Sequence, residues 1–238
     1  MKKRILVTIM RVAILSSGGK DSTYSHWWAM LQGWDVLALI RCKITNGDSM
    51  TFQVPATNIV EKQSLASNTE YLEFILSGEE DSEMLELSTL ISKNSENGEV
   101  LEKLDGIVTG ALRSDYQKSR IECMCEDLGV KSFSPLWHNN PQKHMSTLIE
   151  EGFKMIITSV SCNGLDESWI GNIIDNSTFD KLKKLAEKYR FNVDGEGGEY
   201  ETSVVGAPHF LSEIIFDGKI IWDNTRGHFE FSSLNLEK

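Results

Sequence analysis

A short glycine-containing segment, Ser17-Gly18-Gly19-Lys20-Asp21-Ser22, constrains the fold of this chain more than any other feature of its sequence. The apolar run Val12–Leu15 precedes it and is typical of a buried strand. Large apolar side chains follow it at the spacing of an amphipathic helix: Tyr24, Trp27, Trp28 and Leu31. A strand, a glycine turn and a helix in this order direct backbone N–H groups and a helix N-terminus at one anion. The sequence therefore predicts a phosphate-binding turn; the alternative is an ordinary strand-to-helix turn with two glycines.

The residue types of this segment suit a nucleotide that carries a magnesium ion. Glycine lets the backbone approach a phosphate, the serines donate hydroxyls, the lysine adds a positive charge, and Asp21 offers a carboxylate for Mg²⁺. The spacing is shorter than that of the common P-loop. It resembles the pyrophosphate loop of the ATP pyrophosphatases, which adenylate a substrate and release pyrophosphate. The resemblance implies that ATP and Mg²⁺ bind at these six residues: Ser17, Gly18, Gly19, Lys20, Asp21 and Ser22.

Alternating strand and helix patterns along the 238 residues predict an α/β fold with a doubly wound, mostly parallel sheet. Predicted strands lie near residues 35–41, 72–76 and 105–112, and a predicted helix spans Pro55–Asn68. We expect an N-terminal ATP-binding domain at residues 1–112 and a smaller C-terminal α/β lobe at residues 113–238. Near the end, Ile214–Trp222 reads as a hairpin that turns at Asp217-Gly218.

Charge and cysteine usage exclude several classes of function. The net charge of −11 disfavours nucleic acid as a main partner, because a phosphate-backbone binder needs basic stripes. No apolar run is long enough to predict a membrane span. The four cysteines show no Cys-x-x-Cys spacing, so neither a zinc site nor a disulfide framework is expected. Reduced thiols and the lack of a signal-peptide pattern favour the cytoplasm.

Three further clusters are expected at the carboxyl edge of the sheet, where open α/β sheets bind ligands. Gly110–Gln117 follows the fourth predicted strand, and a glycine there would let a nucleotide base lie against the backbone; a capped helix start is the alternative. Ser134–Trp137 reads equally well as an apolar packing turn. Glu196–Thr202 places three carboxylates within six residues, which can bind a cation or act as a base, or form a solvated acidic loop.

Taken together, these motifs resemble the diphthine–ammonia ligase family in its short form, from about residue 10 to about residue 225. The segment Glu-Gly-Gly-Glu-Tyr-Glu-Thr is far more specific to this family than the phosphate loop. The resemblance also implies the Rossmann-like fold of the adenine nucleotide alpha hydrolase-like (HUP) type. The chain departs from the family at one position: Asp194 stands where many members have a cysteine, so a covalent cysteine mechanism is not expected.

The resemblance implies ATP-driven amidation of diphthine on translation elongation factor 2, with ammonium as nitrogen donor and with AMP and pyrophosphate as products. Lys20 and Asp21 would be catalytic, with Glu199 or Glu201 as the general base. The adenine base would lie against Leu39, Ile40 and Gly110. The acceptor would be bound by residues of the first and third of these clusters and by Trp137 of the second: Arg113, Ser114, Asp115, Tyr116, Glu196, Gly197, Gly198, Tyr200 and Thr202.

Other functions stay open at this point. A tRNA thiolase or another pyrophosphate-loop amidotransferase shares the first motif, but thiolases usually need paired reactive cysteines and a basic surface. A nucleotide-binding regulatory module has no use for the acidic loop. The acceptor could also be another small carboxylate, and the sequence is compatible with a homodimer.

Overall fold

Alternating side chains of the predicted first strand supply both faces of a central sheet. In the computed structural model, which describes residues 9–45, 59–80 and 82–237, Val12 and Ile14 pack on one face of this sheet, and Ala13 and Leu15 pack on the other. Within those residues the sheet has five parallel strands in the order β3-β2-β1-β4-β5. Their bounds are β1 Arg11–Leu15, β2 Asp35–Ile44, β3 Glu70–Leu76, β4 Gly106–Val108 and β5 Lys131–Phe133.

Helices cover both faces of this sheet, as the doubly wound pattern predicts. They are α1 Lys20–Leu31, α2 Val60–Ser67, α3 Glu83–Asn94 and α4 Asp115–Leu128. Ala29 of α1 and Val60 of α2 join the core on the Val12 face, whereas Leu87 of α3 and Met124 of α4 join the core on the other face. The predicted Rossmann-like α/β fold is confirmed. The first residues of the predicted helix Pro55–Asn68 lie outside the described residues.

The second lobe is built on an antiparallel sheet. In the described part of the chain this sheet has four strands in the order β7-β6-β9-β8. They are β6 Lys154–Val160, β7 Tyr200–Gly206, β8 Ile214–Asp223 and β9 Arg226–Leu236, accompanied by α5 Pro141–Glu150, a short 3-10 helix Glu167–Trp169 and α6 Asn176–Tyr189. The expected division after residue 112 falls inside the parallel sheet, because β5 pairs with β4. The change from the parallel to the antiparallel sheet comes between Phe133 and Lys154.

Two local predictions are wrong. Asp217-Gly218 is not a hairpin turn but a bulge within β8, and the chain reverses at residues 224–225. Gly218 is required there because a Cβ would lie 2.3 Å from the carbonyl oxygen of Glu230. The predicted apolar stripe of α1 is not its most deeply buried face either: Leu31 is 61% exposed, and Tyr24, Trp27 and Trp28 are only half-buried against the core.

The buried face of α1 consists of small and polar residues instead: Lys20, Ser22, Thr23, Ser25, His26 and Ala29. The helix is packed between the parallel sheet and the second lobe, so close approach on both sides favours short side chains. Ser25 donates a hydrogen bond to the carbonyl oxygen of Thr109 beside β4. The apolar periodicity of the sequence therefore located the helix but not its orientation.

Among the described residues, no helix has both the length and the apolar character required to cross a membrane.

Candidate functional site

The phosphate loop lies at the switch point of the parallel sheet. The strand order reverses between β1 and β4, and open α/β sheets bind ligands in the crevice outside the carboxyl ends of such strands. The loop follows β1, and Gly110 follows β4, so both border this crevice. Gly18 has a φ of +81°, which favours glycine, whereas Gly19 has an ordinary φ of −77°. Gly19 precedes α1 and has no side chain that could cap it, which leaves room for an anion at this end of the helix.

A cavity of about 220 Å³ opens at this crevice. One side is formed by the phosphate loop and another by the acidic segment of the second lobe, through Glu196 and Glu201. An apolar end is formed by Leu15, Ile40, Cys42, Ala111 and Ile121. The cavity therefore combines an anion-binding loop, two carboxylates and an apolar slot.

Lys20 and His144 both contact the Asp21 carboxylate beside the cavity. Lys20 Nζ lies 2.9 Å from Oδ2 of Asp21, and His144 Nε2 lies 2.8 Å from Oδ1 of the same carboxylate. Burial would raise the pKa of Asp21, but the Lys20 charge and the contact with His144 hold it below its usual value. Burial would likewise lower the pKa of Lys20, but Asp21, with Asp194 and Glu201, raises it. The lysine is therefore a cation and the aspartate an anion near neutral pH.

Residues from both lobes hold the phosphate loop in its conformation. The Gly18 carbonyl oxygen accepts hydrogen bonds from Gln63 Nε2 at 2.9 Å and from the Val204 N–H at 3.0 Å. The Lys20 N–H donates to Thr202 Oγ1 at 3.2 Å. Thr202 therefore contacts the start of α1, so its expected role in acceptor binding would be indirect.

The carboxylates of the acidic segment, residues 196–202, lie in two different environments. Glu196 and Glu201 line the cavity. Glu199 is turned back on its own loop, where it accepts hydrogen bonds from the Asn192 N–H, the Asn192 amide and the Gly197 N–H, each at 2.8 Å. Of the two expected base candidates, Glu201 lines the cavity and Glu199 does not.

Burial raises the pKa of Glu201 to about 7; the Lys20 charge opposes this rise, while neighbouring carboxylates add to it. Burial also raises the pKa of Glu196, although the hydrogen bond from the Arg113 N–H acts to lower it. A carboxyl that titrates near neutral pH can take a proton from a substrate and release it again.

Tyr200 is buried, so the expectation that its side chain binds the acceptor is wrong. Its side chain is 1% exposed, packs in the core of the second lobe, and donates a hydrogen bond to the Val193 carbonyl at 2.6 Å. Side chains alternate along a strand, and therefore Tyr200 and Glu201 point to opposite faces of β7. The Lys20 ammonium lies 6.0 Å from the Tyr200 ring centre, so the ring packs behind the phosphate loop.

The expected acceptor residues near β4 are only partly brought to the cavity. Arg113 reaches the acidic segment: its N–H donates to Glu196 Oε1 at 3.0 Å and its guanidinium pairs with Asp194 at 2.8 Å. Ser114 caps α4, and Asp115 is exposed in the first turn of that helix. Tyr116 donates to Glu80 at 2.6 Å, away from Glu196.

Several other expected contacts differ from the prediction. Trp137 is not among the cavity-lining residues. Its ring centre lies 5.1 Å from the Lys118 ammonium. Leu39 packs in the core on the α1 face, whereas Ile40 lines the cavity. Gly197 and Gly198 are exposed on the loop. Gly110 lines the cavity, but a Cβ there would lie 2.7 Å from backbone atoms of Asp21 and Ser22, so glycine is needed for packing against α1.

Sequence reasoning missed three residues of this site. His144 and Gln63 contact the phosphate loop from positions 123 and 45 residues away along the chain. Asp194 was noticed only as a departure from the family pattern, although it is fully buried and paired with Arg113. No local pattern marks His144 or Gln63, whereas Asp194 could have been found from its place beside a glycine-rich acidic loop.

The fold and site define a Rossmann-like α/β protein with a phosphate loop and an acidic wall at the switch point. Two family models match this chain. The model of the diphthamide synthase N-terminal domain matches residues 10–132, and the model of the diphthamide synthase C-terminal domain matches residues 140–235. The chain belongs to the diphthamide synthase family, a family of enzymes.

Relatives across this family carry the same name, diphthine–ammonia ligase. The Mus musculus protein is 29% identical over 233 residues, which cover 87% of this chain and 83% of the relative. The Homo sapiens protein is 29% identical over 230 residues, with the same coverage of 87% and 83%. The Schizosaccharomyces pombe protein is 30% identical over 235 residues, covering 92% of this chain but 38% of that longer protein.

Proposed function

We propose that this protein is an ATP-dependent diphthine–ammonia ligase that forms an acyl-adenylate and amidates it with ammonium. One observation supports this most directly: the phosphate loop and the carboxylates Glu196 and Glu201 border the same cavity. An adenylating ligase needs both parts, because it must bind a triphosphate and also handle a cationic nucleophile beside it. The acidic wall would have no purpose in a protein that only binds a nucleotide.

ATP would lie with its phosphates at the start of α1 and its base in the apolar end of the cavity. The helix N-terminus, the serine hydroxyls and the Lys20 ammonium suit the phosphates. Ile40, Cys42 and Ile121 offer an apolar slot for the base. Mg²⁺, when bound, would neutralise phosphate charge, and Asp21 is the carboxylate that suits it. Among the described residues no group of three metal-ligating side chains exists, so the nucleotide and water would have to complete such a site.

The chemistry would proceed in two steps. The acceptor carboxylate attacks the α-phosphorus of ATP, the bond to the β-phosphate breaks, and pyrophosphate leaves. Ammonia then attacks the acyl carbon, and AMP departs with the bonding electrons. Glu201 takes the proton that the ammonium loses, because a carboxylate with a pKa of about 7 is an effective base at neutral pH.

The acceptor would be a diphthine-bearing elongation factor 2 in the cytoplasm. Diphthine carries a quaternary ammonium group, and the anionic side chain of Glu196 at the cavity wall suits such a cation. This part of the proposal rests on the names of the relatives and on the acidity of the wall. A homodimer is compatible with it and is not required.

The test is turnover with ATP, ammonium and elongation factor 2 that carries diphthine. We expect AMP and pyrophosphate in a 1:1 ratio with modified acceptor, and a mass decrease of the acceptor that matches the exchange of a hydroxyl for an amino group. ADP as the main product would exclude adenylation. Gly19→Val should abolish ATP binding, because the branched side chain would occupy the space of a phosphate. Formation of AMP without acceptor modification would indicate another carboxylate as the substrate.

A further inference from the structure

Arg113 contacts the acidic segment at two points that lie two residues apart. Its guanidinium Nη2 lies 2.8 Å from Oδ1 of Asp194, and its backbone N–H donates to Oε1 of Glu196 at 3.0 Å. Gly195 between them has a φ of +74°, and a Cβ there would lie 2.7 Å from the Tyr200 carbonyl oxygen. The segment is therefore fixed on both sides, by Arg113 and by the start of β7.

The ion pair is buried unequally. The Asp194 side chain is 1% exposed, whereas that of Arg113 is 26% exposed. Within the described residues, Oδ2 of Asp194 and Nη1 of Arg113 are buried and have no hydrogen-bond partner. A buried carboxylate with one unbonded oxygen depends strongly on the cation that is bonded to its other oxygen. Such an arrangement costs stability, and its position next to a cavity wall is compatible with a role other than packing.

We propose that Arg113 and Asp194 form a positioning pair that holds the Glu196 carboxylate at the wall of the cavity. The side-chain contact anchors Arg113 to residue 194, and this anchor keeps the Arg113 N–H opposite Glu196. Neither residue of the pair needs to touch the substrate. The positioning role depends on the proposed function only where amidation is the measured quantity. In that reaction Glu196 would bind the cationic group of the acceptor.

Kinetics of the full-length protein distinguish positioning from simple stabilisation. In Arg113→Met, the KM for diphthine-bearing elongation factor 2 should rise about 10-fold or more, because a small misplacement of a contact group is costly, while the KM for ATP stays within about 2-fold. The same variant should lower Tm by about 10 °C, because a buried charge is left unpaired. Arg113→Lys keeps the positive charge but lacks the planar guanidinium. It should therefore lower Tm by less than Arg113→Met does and still raise the acceptor KM.

A double variant separates the two effects. Arg113→Met combined with Asp194→Cys removes both charges and leaves a neutral residue at the buried position. Its Tm should return to within a few degrees of wild type, whereas the acceptor KM should stay raised. Glu230→Gln, which breaks the exposed pair with Lys219, is the matched control and should change neither quantity. Recovery of the acceptor KM together with Tm would show that the pair only packs, and would overturn the proposal.

A spectroscopic readout does not depend on the reaction. In protein labelled with ¹³C at glutamate carboxyls, the resonance of Glu196 is assigned by its loss in Glu196→Gln. We expect the double variant to move this resonance and its titration midpoint, while the resonance of Glu230 stays unchanged. An unmoved Glu196 resonance would refute the proposal even if the wild-type protein amidates its acceptor. Conversely, a moved resonance in a protein that does not amidate would leave the positioning pair intact and reject the proposed function.

Discussion

Nε2 of His144 lies 2.8 Å from Oδ1 of Asp21, so helix α5 of the second lobe supplies a partner for the phosphate loop of the first. The other oxygen of Asp21 faces Lys20 at 2.9 Å. If ATP binds as proposed and Lys20 turns toward a phosphate, His144 would remain as the contact that fixes the aspartate. Tyr24 packs edge-on against the imidazole with ring centres 5.4 Å apart, which limits how far the imidazole can move.

His144→Leu should therefore reduce adenylation without unfolding the protein. Loss of the contact frees Asp21 and raises its pKa, because His144 is one of the groups that lower it. We expect kcat for pyrophosphate release to fall about 10-fold, comparable to a displaced catalytic group. His228→Gln on the exposed side of β9 is the control. Equal rates in both variants would show that the His144 contact has no part in the reaction.

Glu201→Gln and Glu199→Gln should differ sharply in the amidation step. Glu201 lines the cavity, and we expect its replacement to cut amidation about 100-fold or more, as for a lost general base, with ATP affinity little changed. Glu199 supports its own loop through three hydrogen bonds, so its replacement should act mainly through Tm. Single-turnover amidation measured beside thermal unfolding separates these outcomes. A larger amidation defect in Glu199→Gln would reverse the assignment.

The rate of amidation should rise with pH through about 7. The base form of Glu201 is the carboxylate, and burial raises the pKa of this group to about 7, so the active form gains population as pH increases across that value. Initial rates between pH 5.5 and 8.5 at saturating ATP and saturating ammonium measure this rise. Glu201→Gln should lose the rise, and a rise that persists in this variant would assign it to another group.

Gly110→Ala should disturb the phosphate loop although it adds a single methyl group. The added Cβ would lie 2.7 Å from the carbonyl carbon of Asp21 and the amide nitrogen of Ser22, and these backbone atoms cannot yield as a flexible side chain does. We expect a loss of about 1–3 kcal/mol of unfolding free energy and weaker ATP binding. Gly206→Ala is the control, since its Cβ would meet only the flexible Lys154 side chain at 3.2 Å and beyond. Chemical denaturation and a nucleotide titration measure both effects.

Stability should fall in acid through a buried histidine pair. His26 lies on the face of α1 that meets the second lobe, with its Nδ1 3.2 Å from Nε2 of His209. Burial lowers the pKa of His209 to about 4. Burial also lowers the pKa of His26 well below its usual value, and the neighbouring His209 adds to this shift. Both are neutral in the folded state and protonate in the unfolded chain below about pH 6.5, so their contribution to stability is lost as pH falls from there toward 4.

The measurement is Tm between pH 7.5 and 4.5. His209→Gln should flatten this dependence relative to wild type, and the exposed His228→Gln should not. Parallel curves for wild type and His209→Gln would remove the pair as a source of acid sensitivity.

Much of the fold could be predicted because its signals are local. The apolar run before Ser17, the glycine turn and the following helix lie next to one another in the chain, so their order alone indicates the loop and its sheet. The cap of α4 at Ser114 and the stop at Gly129 are likewise set by single residues. Such features depend on backbone preferences and on periodicity, which a sequence displays directly.

The orientation of elements could not be predicted in the same way. Apolar periodicity indicated that Trp27 and Leu31 face the core, but Leu31 is exposed, Trp27 is only half-buried, and α1 buries Ser25 and Ala29 most deeply. Asp217-Gly218 has the composition of a turn, yet cross-strand pairing with β9 makes it a bulge. In both cases tertiary contacts outweigh a weak local preference.

Local patterns in the sequence indicate the phosphate loop, the alternation of strands and helices, and the acidic segment with its family resemblance. Which groups meet depends on the tertiary structure: Glu201 rather than Glu199 lines the cavity, Tyr200 lies in the core, and His144 contacts Asp21. These choices depend on how the second lobe packs against α1 and on which face of β7 each side chain takes. Contacts between residues far apart in the chain leave no periodic or local trace in the sequence, because they are fixed by the packing of the whole molecule.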